Sequence, residues 1–169
     1  MATSGSPTSR TPTTGTPAFV PPMSRKVIAV LALIGCFVSL YLLLYDMGVF
    51  GVLLCGEGGG CETVQASRYA RFLGLPVPLW GVGGYLSLLG LALIGVQPSA
   101  GRDRRVAIAL LAFGTVAFLF SMYLTAVEAW VLRAWCRWCL ASAAVATLIF
   151  LASLPELGRI RGPRRERES

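Results

Sequence analysis

Apolar and polar positions along this chain separate into long blocks instead of alternating. Four apolar runs stand out, roughly at residues 27–45, 77–96, 106–132 and 135–154. A helix needs about 20 mostly apolar residues to cross the hydrocarbon core of a bilayer, and each run meets or nearly meets that length. The third is longer, so it must tilt or extend past the lipid. Buried helices of a soluble domain are the competing interpretation, and four such runs in 169 residues argue against it. Small residues recur in "GVGGYLSLLG" and "ASAAVA" of the second and fourth runs. Small side chains let membrane helices approach closely. The pattern predicts an all-α membrane protein, a bundle of four transmembrane helices with a cysteine-containing outer loop.

The flanks read differently. Residues 1–22 are rich in Ser, Thr, Pro and Gly and lack the basic start and apolar stretch of a signal peptide. Such a segment cannot bury enough apolar surface to offset chain entropy. The expected organisation is a disordered tail over 1–24, a membrane domain over 25–154 and a basic tail over 155–169.

Composition agrees with the blocks: 55% of the residues are hydrophobic and 14% charged, where a soluble domain carries about a quarter. The net charge of +7 matters only once it is placed. Eleven of the 15 basic residues lie in the N-tail, the connection between the second and third runs, and the C-tail. Four spans put those regions on one side. The opposite side holds only Arg68, Arg71, Arg133 and Arg137. The positive-inside rule then places both termini in the cytoplasm, and the loop at 47–76 and the turn near Ala134 outside. With no basic stripe interleaved with aromatics, nucleic acid is not an expected partner. The absence of histidine excludes His-ligated haem, mixed Cys–His zinc and any Cys–His or Ser–His catalytic pair.

That topology brings four of the five cysteines to one face. Cys55 and Cys61 lie in the outer loop, in "LLCGEGGGCETV", and Cys136 and Cys139 form a Cys-x-x-Cys pair at the outer end of the fourth run. The fifth, Cys36, sits mid-span as an ordinary small apolar residue. Disulfides persist on an oxidising face. Cys136 and Cys139 open a helix, whose free N–H groups and partial positive charge favour a thiolate, the attacking species in disulfide exchange. Arg133 and Arg137 add positive charge nearby. The four glycines between Cys55 and Cys61 suit a loop that moves. A redox relay, two structural disulfides and an all-thiolate zinc site all remain open on these grounds. The x5 spacing and outward location count against zinc.

The stretch "CGEGGGCETVQASRYARFLGLPVPLWGVGGY", with "SMYL" ending twelve residues before Cys136 of "CRWC", resembles the bacterial form of the vitamin K epoxide reductase family. The resemblance covers residues 25–154, with Ser67 six residues after Cys61 and a Pro-x-x-x-Trp-Gly run at 76–81. It implies a four-helix bundle around a quinone pocket, taking either ubiquinone or menaquinone and no metal. It implies that Cys55 exchanges with the thiols of a DsbA-like thioredoxin-fold protein outside a bacterial inner membrane. Cys61 then passes electrons to Cys136, and Cys139 stands nearest the quinone. By the same resemblance Ser67 helps hold the outer loop, and Tyr69, Trp80, Tyr85 and Leu124 line the quinone pocket. Taken singly, Ser67 reads equally as an ordinary cap residue, and each of the other four reads more readily as interfacial belt or bundle packing. Animal members have a tyrosine where Ala143 stands and an asparagine where Val77 stands, which argues against epoxide reduction here. Some bacterial members carry a fused thioredoxin-like domain. This chain ends in "PELGRIRGPRRERES", so a separate partner is expected. The alternatives are a quinone or quinone-epoxide reductase using thiols as reductant, and a non-catalytic four-span protein stapled by disulfides.

Overall fold

The computed structural model describes residues 23–49, 51, 53, 55, 60–97 and 103–161. The expectations for the N-terminal tail, the glycines at 56–59, the connection at 98–102 and the last eight residues fall outside the described residues.

Four long helices form the molecule. They are α1 (Met23–Asp46), α3 (Val77–Val96), α4 (Arg104–Ala126) and α5 (Arg137–Ser153). Between α1 and α3 lie a one-turn helix α2 (Cys61–Gln65), a 3-10 turn (Arg68–Ala70) and a two-stranded hairpin, β1 (Arg71–Phe72) with β2 (Leu75–Pro76). A six-residue π-helical turn, Val127–Leu132, continues α4. A short α6 (Glu156–Arg161) follows α5. Among the described residues, four helical stretches are long and apolar enough to cross a membrane. Their outward faces carry exposed Phe37, Leu86, Leu93, Val116 and Leu119. Water would penalise such surfaces, whereas lipid accommodates them, because the helices satisfy their own backbone.

Helix ends follow local chemistry. Pro78 sits in the first turn of α3, where its missing N–H breaks no bond. Asp103 caps α4 by accepting from the Arg105 N–H at 2.9 Å. The hairpin turns on Leu73 and Gly74, both at positive φ (53° and 82°). That pair of conformations suits a two-residue turn between twisted strands. Glycine adopts it freely, whereas leucine at the first position is strained.

The main core joins α1, α3, α4 and α5 through Ile28, Ala32, Tyr85, Leu88, Leu110 and Ile149. The small residues of α3 divide into two groups. Gly81 packs against Ser39 and Gly95 against Arg25, as close helix approach predicts. Gly83 and Gly84 have no such neighbour and instead line a cavity. Their missing side chains therefore open space between helices.

At the end of the bundle remote from the cysteines, Arg25 (1% exposed) meets Glu156 (0% exposed). The guanidinium donates from Nε and Nη2 to the two carboxylate oxygens at 2.9 and 2.8 Å, and from Nη1 to the Gly95 carbonyl at 2.7 Å. The region read as the start of a basic tail thus includes a short helix whose glutamate enters the core. Arg25, counted among the flanking charges from sequence, is the residue that holds it there.

Candidate active site

Cys55 and Cys61 are joined as a disulfide, with Cα atoms 6.2 Å apart. Cys136 and Cys139 are free thiols whose sulfurs lie 2.7 Å apart. Cys55, Cys61 and Cys136 belong to one buried cluster with Leu42, Leu53 and Val64, and Cys139 and Trp138 pack against it. The two cysteine pairs, 75 residues apart between Cys61 and Cys136, thus share a single apolar pocket of the fold. Cys36 lies apart, packed against the main core.

Gly60 explains how the pairs come together. A Cβ there would stand 2.8 Å from the Ala134 Cβ and 2.9 Å from the Trp135 backbone nitrogen. Only glycine lets the start of α2 lie directly on the segment leading to Cys136. Ser67 donates to the Val64 carbonyl at 2.7 Å, which fastens the end of α2 to the turn that follows. Cys55 is only 7% exposed, so its sulfur is largely shielded from solvent.

Helix α5 starts two residues later than the apolar run, at Arg137, because Cys136 is its N-cap. The Cys136 sulfur accepts from the Cys139 backbone N–H at 3.3 Å, the contact a capping side chain makes. The Cys139 thiol, hydrogen-bonded to that sulfur, holds the Cys136 thiol below its ordinary pKa; burial and the nearby Glu128 charge oppose the shift. Cys136 is therefore the better thiolate of the pair.

A cavity of about 720 Å³ opens between α1, α3, α4 and α5. Cys139 forms part of its wall, together with Trp80, Tyr85 and Leu124. Tyr69 lines a smaller neighbouring cavity that also touches Ser67, Leu124 and Cys139. Arg68 stacks over the Tyr69 ring at 5.0 Å and donates to its hydroxyl at 2.9 Å. Trp80 donates to the Phe72 carbonyl at 3.1 Å, which ties the hairpin over the cavity mouth. The Tyr85 hydroxyl bonds the Ser142 carbonyl and hydroxyl, each at 2.9 Å. Gly35 makes room for the Tyr85 ring: a Cβ there would sit 2.4–2.7 Å from its carbons. Val77 and Ala143 also line the cavity, as apolar surface.

Two polar residues of this site escaped the sequence reading. Gln65 touches both cavities, and its buried amide nitrogen has no hydrogen-bond partner among the described residues. Glu128, 3% exposed, accepts from the Cys136 N–H at 3.0 Å and lines both cavities together with Cys139. A signal for Glu128 was present, since it is the sole charged residue between positions 106 and 132. Nothing comparable marked Gln65, a polar residue in a polar loop.

The cavity is suited to a flat, largely apolar ring with a few polar atoms. Its walls are mostly aliphatic and aromatic, and the Gln65 amide supplies an unused donor. Among the described residues, no group of three or more His, Cys, Asp or Glu side chains is placed to hold a metal ion.

Comparison with known families points the same way. The model described as the vitamin K epoxide reductase family matches residues 26–154. That interval contains all four clustered cysteines and the whole cavity wall. This chain therefore belongs to the vitamin K epoxide reductase family, and with it to the membrane oxidoreductases.

Proposed function

We propose that the protein makes disulfides for a separate DsbA-like thioredoxin-fold protein outside the bacterial inner membrane and passes the electrons to a membrane quinone. The observation that carries this reading is the position of Cys139. It touches the Cys136 sulfur on one side and the wall of the 720 Å³ cavity on the other.

The net reaction takes two electrons and two protons from the partner's dithiol, leaving a disulfide, and converts quinone to hydroquinone. The partner's thiols reduce Cys55–Cys61. The resulting thiols reduce a Cys136–Cys139 disulfide, with Cys61 attacking Cys136. The inner dithiol then closes to a disulfide as its electrons leave to the quinone. Tyr85, Trp80 and Leu124 bound the ring site, Tyr69 supports it from the adjoining cavity, and Ser67 holds the outer loop. The charge distribution, with most basic residues on the side opposite the cysteines, supports the outward orientation.

Quinone reduction is favoured over epoxide reduction because Val77 and Ala143 offer apolar surface where animal relatives have an amide and a phenol. The deciding experiment mixes the purified protein anaerobically with a reduced DsbA-like protein and a short-chain ubiquinone or menaquinone. Quinone absorbance and partner thiols are followed together. Loss of two thiols per quinone, dependent on Cys136 and Cys139, is the expected result. Quinone reduction with dithiothreitol but never with the partner would instead make the protein a quinone reductase fed by another thiol.

A further inference from the structure

We propose that Glu128 is a catalytic residue, the proton acceptor for the Cys139 thiol when the inner pair is oxidised. This role rests on the quinone-reducing function proposed above.

A carboxylate within an apolar span is costly unless it has a partner and a task. Glu128 has both within reach. Its Oε2 accepts from the Cys136 backbone N–H at 3.0 Å, which fixes its direction, and it shares the wall of the smaller cavity with Cys139. It also lines the same large cavity as Cys139, so it faces both the thiol and the electron acceptor. The π-helical turn Val127–Leu132 carries it, and that turn ends with Arg133 in the left-handed region (φ 49°). Such turns are less stable than regular helix and are frequent at functional sites.

The chemistry requires such a group. Oxidation of the inner dithiol forms the S–S bond, sends two electrons to a quinone and releases two S–H protons. Cys136 is the sulfur favoured to ionise, so its proton leaves first. The second proton is the one on Cys139, which lies at the cavity wall. Transferred to the Glu128 carboxylate, it passes on to one oxygen of the reduced quinone. Solvent supplies the second proton of the hydroquinone, which balances the one lost from Cys136.

A purely structural Glu128 would only cap the Cys136 N–H, and Glu128→Gln separates the roles. The carboxamide keeps an acceptor oxygen for that N–H but cannot take up a proton. The test uses the full chain, with each variant checked for the Cys55–Cys61 disulfide and wild-type elution in detergent. Reduced protein is mixed anaerobically with short-chain ubiquinone, and reduction of Cys55–Cys61 by dithiothreitol is measured separately. Glu128→Gln is expected to slow quinone reduction about 10²- to 10⁴-fold, the usual contribution of a positioned acid or base. The quinone KM and the rate of outer-pair reduction are expected to stay near wild type. As a second variant, Glu128→Asp keeps a carboxylate and is expected to retain more quinone reduction than Glu128→Gln. Wild-type quinone reduction in Glu128→Gln, equal losses in both half-reactions, or Asp worse than Gln would each overturn the role. A wild-type protein that reduces no quinone at all would overturn the underlying function and this role together.

Discussion

At the residue scale, each of the inner cysteines is shaped by its immediate contacts. Cys136 caps α5 by accepting from the Cys139 N–H, and its thiol is held below the ordinary range by the Cys139 thiol. A lowered pKa keeps the thiolate present at lower pH and loses it only as pH falls through the lowered value. The acid limb of the quinone-reduction profile is therefore expected below the ordinary thiol pKa of about 8.5. A limb at or above that value, measured from initial rates across pH, would contradict it. Replacing Cys139 by Ala removes the sulfur at the cavity wall and is expected to reduce quinone turnover to background. Replacing Cys36 by Ala is expected to leave turnover unchanged, since Cys36 packs in the main core away from the other four. Gly60→Ala tests the junction between the pairs. Its Cβ would collide with Ala134 and with the Trp135 backbone, which cannot rotate away. Overpacking of this kind costs about 1–3 kcal/mol, and it should lower both the melting temperature and the rate of disulfide transfer between pairs. Trapping the intermediate states by thiol alkylation measures that rate directly.

At the scale of elements, the termini of the helices carry more information than their middles. The start of α5 is set by Cys136 as a cap, the end of α4 by a π-helical turn that presents Glu128, and the end of α5 by the short α6. The Arg25–Glu156 pair ties α6 to α1 and, through the Gly95 carbonyl, to α3. Both side chains are almost fully buried, so removing one strips the other of its opposite charge in the core. Arg25→Ala or Glu156→Ala is expected to destabilise the bundle by about 3–5 kcal/mol, whereas an apolar pair such as Arg25→Met with Glu156→Leu should recover most of the loss. Thermal unfolding in detergent, run on both singles and the double, tests this coupling. Purely additive losses would show that the pair does not act as a unit.

At the scale of the whole molecule, the bundle has two unlike ends. One is closed by a buried ion pair, while the other gathers four cysteines and opens onto a cavity. A ligand in that cavity binds only the folded bundle, so it should stabilise it. At a hundred times its Kd, a short-chain quinone is expected to add about 2.7 kcal/mol, or roughly 5–10 °C in melting temperature for a chain of this size. Trp80→Ala, which removes an aromatic wall and the tie from α3 to the hairpin, should diminish that shift at the same quinone concentration. An undiminished shift would mean that the quinone binds elsewhere.

The four spans were legible from hydropathy because lipid burial is additive along a helix: about 20 apolar residues suffice, whatever packs beside them. The spacing of the cysteines, Ser67 and the Trp80–Gly81 turn likewise carried the family resemblance, since local motifs survive as strings. The sequence by itself thus determined the four apolar helices, the membrane class and the family. Which sulfurs touch, and what surrounds them, was decided only by tertiary structure. Glu156 is buried because Arg25 reaches it across 131 positions. Gly60 matters because Ala134 and Trp135 lie on it. Glu128 becomes part of the site because the chain turns back at Arg133 and lays the Cys136 N–H on its carboxylate. These are contacts between residues far apart or on opposite sides of a turn. Their energy depends on distance and desolvation in the folded bundle, and neither composition nor periodicity encodes those quantities.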